Sequence, residues 1–320
     1  MQVKSKDSRL ESDRNSNNNF RKIFWVISAI PLLLITLILW GLIEPYILDE
    51  EEEEAVIPNL PSAWSGKKVA QLSDFQVGMW WDNVDTVKDS VEKIIESQPA
   101  AVFITGDFIY HANPDPQPEI DEVVSLLRPL QNANIPTYAV LGNHDYGIKN
   151  KGVEPDLQLA AQLEQGLENI GIEVLNNQAV QIPLQNQVSD LYVVGIDSHW
   201  ANDDQVELAL SQIPDNSPRI VMMHNPDSFI EFPANTAPFA IAGHTHGGQI
   251  RLPYMPQWSW LSFAKEDKVL ADEWVEEDYG KAGNRMYINR GIGFSDAPIR
   301  INCAPEITFF TLRSQATIDN

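Results

Sequence analysis

Five short apolar runs in this chain each end in side chains that a buried strand cannot carry unpaired. Val69–Asp74 ends in a carboxylate, with Gln76 two residues on, and Ala101–Asp107 ends in another. Tyr138–Asp145 closes on Asn143, His144 and Asp145, Ile220–His224 closes on a histidine, and Phe239–Ile250 carries His244 and His246. Each run has the β-rich composition of a strand buried on both faces. In layered α/β folds, ligands bind beyond the carboxyl ends of such strands. Side chains two apart on extended backbone point the same way, so His244 and His246 enter one small volume. Gly243, Gly247 and Gly248 around them permit a sharp turn and close backbone approach. A lone His-x-His is a weak signal. Buried charged and imidazole groups on five converging strand ends are a stronger one, because they need partners and a metal pair satisfies nearly all of them.

In chain order the ends read Asp74-Phe-Gln76, Gly106-Asp107, Gly142-Asn-His-Asp145, His224 and Gly243-His-Thr-His246. The series resembles the signature of the calcineurin-like metallophosphoesterases, D-x-H, G-D, G-N-H-[DE], H and G-H-x-H, and the likeness spans residues 67 to about 312. The tail segments Asn289–Ser295, Pro298–Arg300 and Pro305–Glu306 are similar to the membrane-anchored bacterial branch of that family. The resemblance implies a four-layer α/β/β/α sandwich and two divalent metal ions, with Mn²⁺ favoured and Fe, Zn²⁺ or Mg²⁺ as alternatives. It gives Asp74, Gln76, Asp107 and His246 to one metal and Asp107, Asn143, His224 and His244 to the other. Asp107 then lies between the two cations. Two metals about 3.5–4 Å apart clamp a phosphoryl group and acidify a bridging water, so the expected reaction is hydrolysis of phosphate mono- or diesters. His144 would donate to the leaving oxygen, as general acids do. Asp145 is either its orienting partner or a plain turn carboxylate.

One position departs from the signature: Gln76 stands where the family carries the histidine of D-x-H. An amide oxygen is a harder donor than imidazole and shifts preference toward Mn²⁺ or Mg²⁺. A D-x-Q motif resembles that of the manganese-dependent ADP-ribose/CDP-alcohol diphosphatases of the same superfamily. Three readings stand side by side: a tolerated ligand swap, a manganese or diphosphate bias, and a weakened first site. The rival functions are accordingly a diphosphatase acting on lipid- or nucleotide-linked substrates and a catalytically weak metal-binding scaffold.

Further candidates flank the ligand set. His199 and Trp200 follow the Val193–Ile196 run, and Arg251 and Arg290 are the nearest basic residues. His199, Trp200 and Arg251 are read as substrate contacts, each beside the alternative of a structural side chain. His111 is assigned to loop structure. Trp80-Trp81 and the group Tyr254, Met255, Trp258, Trp260, Leu261 and Phe263 are either a docking place for a lipid or base, or an insert packed over the sandwich edge. The single cysteine, Cys303, excludes an internal disulfide framework and is read as a core residue.

The amino-terminal part has a different composition. Residues 1–22 are polar, with six basic side chains, and form an expected disordered tail. Residues 23–43 carry no charge, and a membrane-spanning helix takes about 20 residues. The core of a cleaved signal is shorter, about 7–15 residues, and is followed by small residues; Glu44-Pro-Tyr follows here, so an uncleaved anchor is the preferred reading. The positive flank places the amino terminus in the cytoplasm and the remainder outside it. Residues 44–66, with Asp49 and Glu50–Glu54, read as an acidic linker, and residues 67–314 as the catalytic domain. The chain carries a net charge of −23, and residues 1–43 contribute +3. So acidic a body argues against a nucleic-acid duplex as partner, and a phosphorylated small molecule or lipid-linked compound is expected instead.

Between the motifs, helical spacing marks residues 83–98 with Asn83 as cap, 120–130, 155–169 and 203–213. Further strands are expected at 173–182, 191–197, 286–289, 299–303 and 306–312.

Overall fold

The apolar runs become strands because their valine, isoleucine and phenylalanine side chains are covered from both faces. In the computed structural model the described residues are 24–25, 28–81, 83–110, 114–184, 189–252, 255–259, 273–276, 278–295 and 297–315. They form helix α1 (Ser28–Tyr46), then β1 (Asp49–Ile57), β2 (Lys68–Leu72), α2 (Val84–Ser97), β3 (Val102–Ile104), α3 (Gln117–Asn132) and β4 (Thr137–Ala139). There follow α4 (Leu157–Glu168), β5 (Glu173–Val174), β6 (Gln178–Gln181), β7 (Tyr192–Gly195), α5 (Val206–Leu210), β8 (Arg219–Met222) and β9 (Ala240–Ala242). The series ends with β10 (Arg251–Leu252), β11 (Met255–Ser259), β12 (Glu273–Trp274), β13 (Met286–Ile288) and β14 (Glu306–Ser314). The tail at 1–22, His111, Tyr254, Trp260, Leu261 and Phe263 lie outside the described residues.

Two six-stranded sheets result, ordered β1-β14-β2-β3-β4-β5 and β12-β13-β9-β8-β7-β6. Val69, Phe103, Val193, Ile220, Ile241, Tyr287 and Phe310 fill the layer between them. On the outside of the first sheet, Val87, Val91, Ile120, Leu127, Leu163 and Leu167 bring α2, α3 and α4 onto Leu72 and Ile104. On the outside of the second, Val206 and Ala209 of α5, with Phe229 and Phe232, cover Val221 and Ala240. Helices outside and sheets inside make the expected α/β/β/α sandwich.

The largest departure from expectation is the acidic linker. Asp49–Ile57 is an edge strand, parallel to β14 and in register from Asp49↔Glu306 to Ile57↔Ser314. Its carboxylates stay partly exposed, yet each has a partner. Arg290 takes Asp49 and Glu51, Lys93 takes Glu50, Lys68 takes Glu52, the Trp274 indole donates to Glu53, and Arg313 takes Glu54. Such exposed pairs contribute only about 0.2–1 kcal/mol each. Burial of Ala55 and Ile57 between the sheets adds the apolar component. The charges also blunt an exposed edge, as lysine and glutamate do elsewhere.

Smaller differences have local causes. The expected strand 173–182 divides, with β5 in the first sheet and β6 in the second, across Asn177 in the left-handed region at φ 54°. The Asn83 side chain does not cap α2 but donates to the Ile292 carbonyl. Residues 299–303 form a loop around buried Arg300, joined by a single bridge from Ile301 to Ile250. The helix expected over 203–213 covers only Val206–Leu210.

A chain starting at Lys67 is expected to lose the β14 partner and unfold at lower urea than one starting at Ile47. Exposing the Ile57 and Ala55 contacts costs at least about 2 kcal/mol, measurable by equilibrium urea denaturation.

Candidate metal centre

Each ligand-type side chain stands just past the last residue of a strand: Asp74 after β2, Asp107 after β3, Asn143 after β4, His224 after β8, and His244 and His246 after β9. Asp74, Gln76, Asp107, His244 and His246 all have positive φ, between 48° and 73°. Non-glycine residues seldom adopt that region, and such strain concentrates at functional sites. The approach is close enough to require glycine. A Cβ on Gly142 would lie 2.2 Å from Asp107 Oδ1, and one on Gly243 would lie 1.9 Å from Ser73 Oγ.

Asp145 holds this geometry in place. Its carboxylate accepts the backbone amides of Asp107, Phe108, Ile109 and Gly142, at 2.8–3.2 Å. The β3 and β4 turns are therefore tied to one buried group. Burial and the neighbouring Asp107 push its carboxyl up to about 8, against the pull of the donated amides. The alternative of a turn carboxylate describes Asp145 better than an orienting partner of His144, since its oxygens are spent on backbone amides.

The donors converge around Asp107. Asp107, His224 and His244 form one group, and Asp74, Asp107 and His246 a second, with the ligand atoms within 4.8 Å of one another in each. Asp107 belongs to both. The His224 Nδ1 donates its N–H to the Thr105 carbonyl at 2.7 Å, which aims Nε2 into the site. That Nε2 is 3.2 Å from Asn143 Oδ1, while the Asn143 amide donates to the Ile148 carbonyl and fixes which end faces inward. Gln76 donates its amide to Asp107 Oδ2 at 2.8 Å, and its buried Oε1 has no hydrogen-bond partner. His246 Nδ1 is likewise buried without one.

The electrostatics ask for cations. Burial raises Asp74 to about 6. Burial acts upward on Asp107 too, but the imidazoles of His224 and His144 outweigh it and hold that carboxyl well below the usual range. Burial opposes charge on His224, yet Asp107 and Asp74 raise it to about 9. His246 is pushed down to about 3 by burial, with Arg300 acting the same way. Two buried carboxylates, neutral imidazole and orphaned amide oxygen are a donor set that divalent metals fit.

The flanking candidates separate. Trp200 meets the His244 ring edge-on, with centroids 4.8 Å apart, so it borders the site. His199 turns away to Asp204 at 2.7 Å. Arg251 is buried with its Nε on the Gly247 carbonyl, bracing the turn. Arg290 is spent on Asp49, Glu51 and Glu306. Each thus has a structural partner: a carboxylate for His199, a backbone carbonyl for Arg251 and three carboxylates for Arg290. Cys303 is buried, as expected of a core residue.

The structure adds three residues. Tyr110 stacks on His144 with centroids 5.1 Å apart, and Lys149 Nζ sits 4.6 Å from the Tyr110 ring centroid. Lys151 Nζ lies 5.6 Å from the centroid of Trp200. Two exposed lysines on one loop thus each cover an aromatic ring that touches a site histidine. Only the rarity of lysine in so acidic a domain signalled them in sequence.

Adding Mn²⁺ to metal-stripped protein is expected to raise its melting temperature, with a stabilisation of about 2.7 kcal/mol at a hundredfold excess over Kd. Asp107→Asn removes most of that shift, because both donor groups share this carboxylate, whereas Gln76→Ala removes less. Scanning calorimetry with and without metal measures both.

Residues 67–248 match the calcineurin-like phosphoesterase family. A metallophosphoesterase of Bacillus subtilis, YkuE, is 29% identical over 85% of this chain and 88% of its own length. The Escherichia coli phosphodiesterase YaeI is 31% identical over 71% of this chain and 75% of its own. The UDP-2,3-diacylglucosamine pyrophosphatase LpxG of Chlamydia muridarum is 25% identical over 83% and 89% respectively. With its converging strand ends and shared carboxylate, the chain belongs to the calcineurin-like phosphoesterases, a family of metal-dependent phosphoric ester hydrolases.

Proposed function

We propose that this protein hydrolyses phosphate esters at a dinuclear centre held by Asp74, Gln76, Asp107 and His246 on one side and Asp107, Asn143, His224 and His244 on the other. The observation that carries this reading is the membership of Asp107 in both donor groups. Bound there, two divalent metals supply charge for the phosphoryl oxygens and an acidified water. The hard oxygen of Gln76 favours Mn²⁺ at the first position. Asp107 offsets the repulsion between cations, and the Thr105 carbonyl keeps His224 in the ligating tautomer. His144, stacked on Tyr110 and with Nδ1 3.4 Å from the Tyr110 carbonyl, is oriented to pass a proton to the departing oxygen.

With Mn²⁺, the purified protein is expected to hydrolyse bis(p-nitrophenyl) phosphate, and His144→Ala to lower kcat by about 10²–10⁴-fold. Failure of the wild type with Mn²⁺, Mg²⁺ and Zn²⁺ alike would instead favour a metal-binding scaffold.

A second reading, a diphosphatase, is supported by the Lys149–Tyr110–His144 and Lys151–Trp200–His244 stacks. Positive charge beside the proton donor suits a leaving group that is itself a phosphate, and the likeness to a pyrophosphatase points the same way. Replacing both lysines by alanine is expected to raise KM for ADP-ribose about tenfold more than for bis(p-nitrophenyl) phosphate. Equal effects on the two substrates would count against it.

Helix α1 is long and apolar enough to cross a membrane. The six basic residues ahead of residue 23 support a cytoplasmic amino terminus with the catalytic domain on the far side. Protease added outside spheroplasts tests this orientation, since protection of the domain would reverse it.

A further inference from the structure

The site and the end of α1 lie on the same face of the domain. Strand β1 starts three residues after α1 ends, and Asp49 pairs with Glu306 at the start of β14. Strand β14 runs antiparallel to β2, with Thr308 opposite Gln71 and Thr311 opposite Lys68. The first residue of β1 therefore sits at the sheet edge where β2 delivers Asp74. A chain that entered at the opposite edge would carry the metal centre a full sandwich length from its anchor.

The junction is also packed, not hinged. The Arg300 amide donates to the Gly41 carbonyl at 3.0 Å, and a Cβ on Gly41 would lie 2.6 Å from Ile299 Cγ2. The buried Glu44 carboxylate accepts the amides of Asn302, at 2.9 Å, and of Cys303. The Cys303 thiol donates to the carbonyls of His246 and Gly247. One short series of contacts thus joins α1 to a metal-site histidine. Thr86 adds a bond to the Pro45 carbonyl at 3.2 Å.

Exposed apolar side chains adjoin this junction on two sides. Trp80 and Trp81 are 68% and 49% exposed, and the Trp81 indole donates to the Tyr46 hydroxyl at 2.8 Å. Beyond His246, Ile250, Leu252 and Trp258 are exposed, and Ile250 bridges to Ile301, whose side chain abuts Gly41. Water-exposed tryptophans are costly, whereas the headgroup layer of a bilayer favours them. Both patches are continuous with the end of a helix of membrane-crossing length.

We infer that the metal centre faces the bilayer that α1 enters, with Trp80 and Trp81 on one side and Ile250, Leu252 and Trp258 on the other seated in its headgroup layer. The site then takes its phosphate from an amphiphile held in that bilayer. The inference rests on the hydrolase reading above and narrows its substrate to membrane-held phosphoesters.

The test uses the full chain in phosphatidylcholine vesicles with and without bromine on the acyl chains. Bromolipid is expected to quench a fraction of the tryptophan fluorescence that is lost in Trp80→Ser/Trp81→Ser. Hexadecyl p-nitrophenyl phosphate dispersed in the vesicles should show a KM raised about tenfold by the double substitution, while water-soluble bis(p-nitrophenyl) phosphate is turned over as before. Unchanged quenching, equal loss on both substrates, or release of the chain by alkaline carbonate would overturn the inference. Inertness of the wild type toward both esters would overturn the hydrolase reading instead, and the quenching would still decide which way the site faces.

Discussion

Two buried carboxylates 38 residues apart, Asp107 and Asp145, set the terms for the rest of the site. Asp145 gathers four backbone amides from two different turns, so neither turn can relax alone. Removing one buried acceptor leaves every donor it served without a partner, at about 1–3 kcal/mol each. That constraint fixes Asp107, which in turn must be neutralised by whatever stands around it. Histidines, and then metals, are the available answer among the groups that face it.

This dependence explains how strained backbone persists at the strand ends. Positive φ at five ligand-type residues is tolerable only where surrounding structure over-determines it. The amides on Asp145, the carbonyl on His224 and the glycines at 142 and 243 provide that over-determination. The sheets carry no catalytic group themselves; they hold the ends of five strands at one spacing.

The strand ends were legible in sequence because an apolar run followed by a carboxylate or imidazole is costly anywhere but at a site. For Asp145 the same logic left two readings open, since a turn carboxylate and an orienting partner look alike until the four amides are seen. The acidic run at 49–54 was unreadable for a different reason. Its partners, Lys68, Lys93, Arg290 and Arg313, are scattered along the chain, and no local alternation marks a strand whose outward face is all carboxylate. Proximity in sequence to the ligands left Arg251 and Arg290 open as phosphate contacts or structural residues, and said nothing about the carbonyl and the acids that hold them.

Among the described strands β1 comes first and its neighbour β14 last, so their pairing waits for every strand between them. Long-range pairing of this kind is slow, and an unpaired edge invites association with other chains in the interval. Consecutive glutamates keep that waiting segment hydrated and mutually repellent to its copies. When β14 arrives with Arg313, and Arg290 ahead of it, the charge that delayed misassembly becomes the means of alignment.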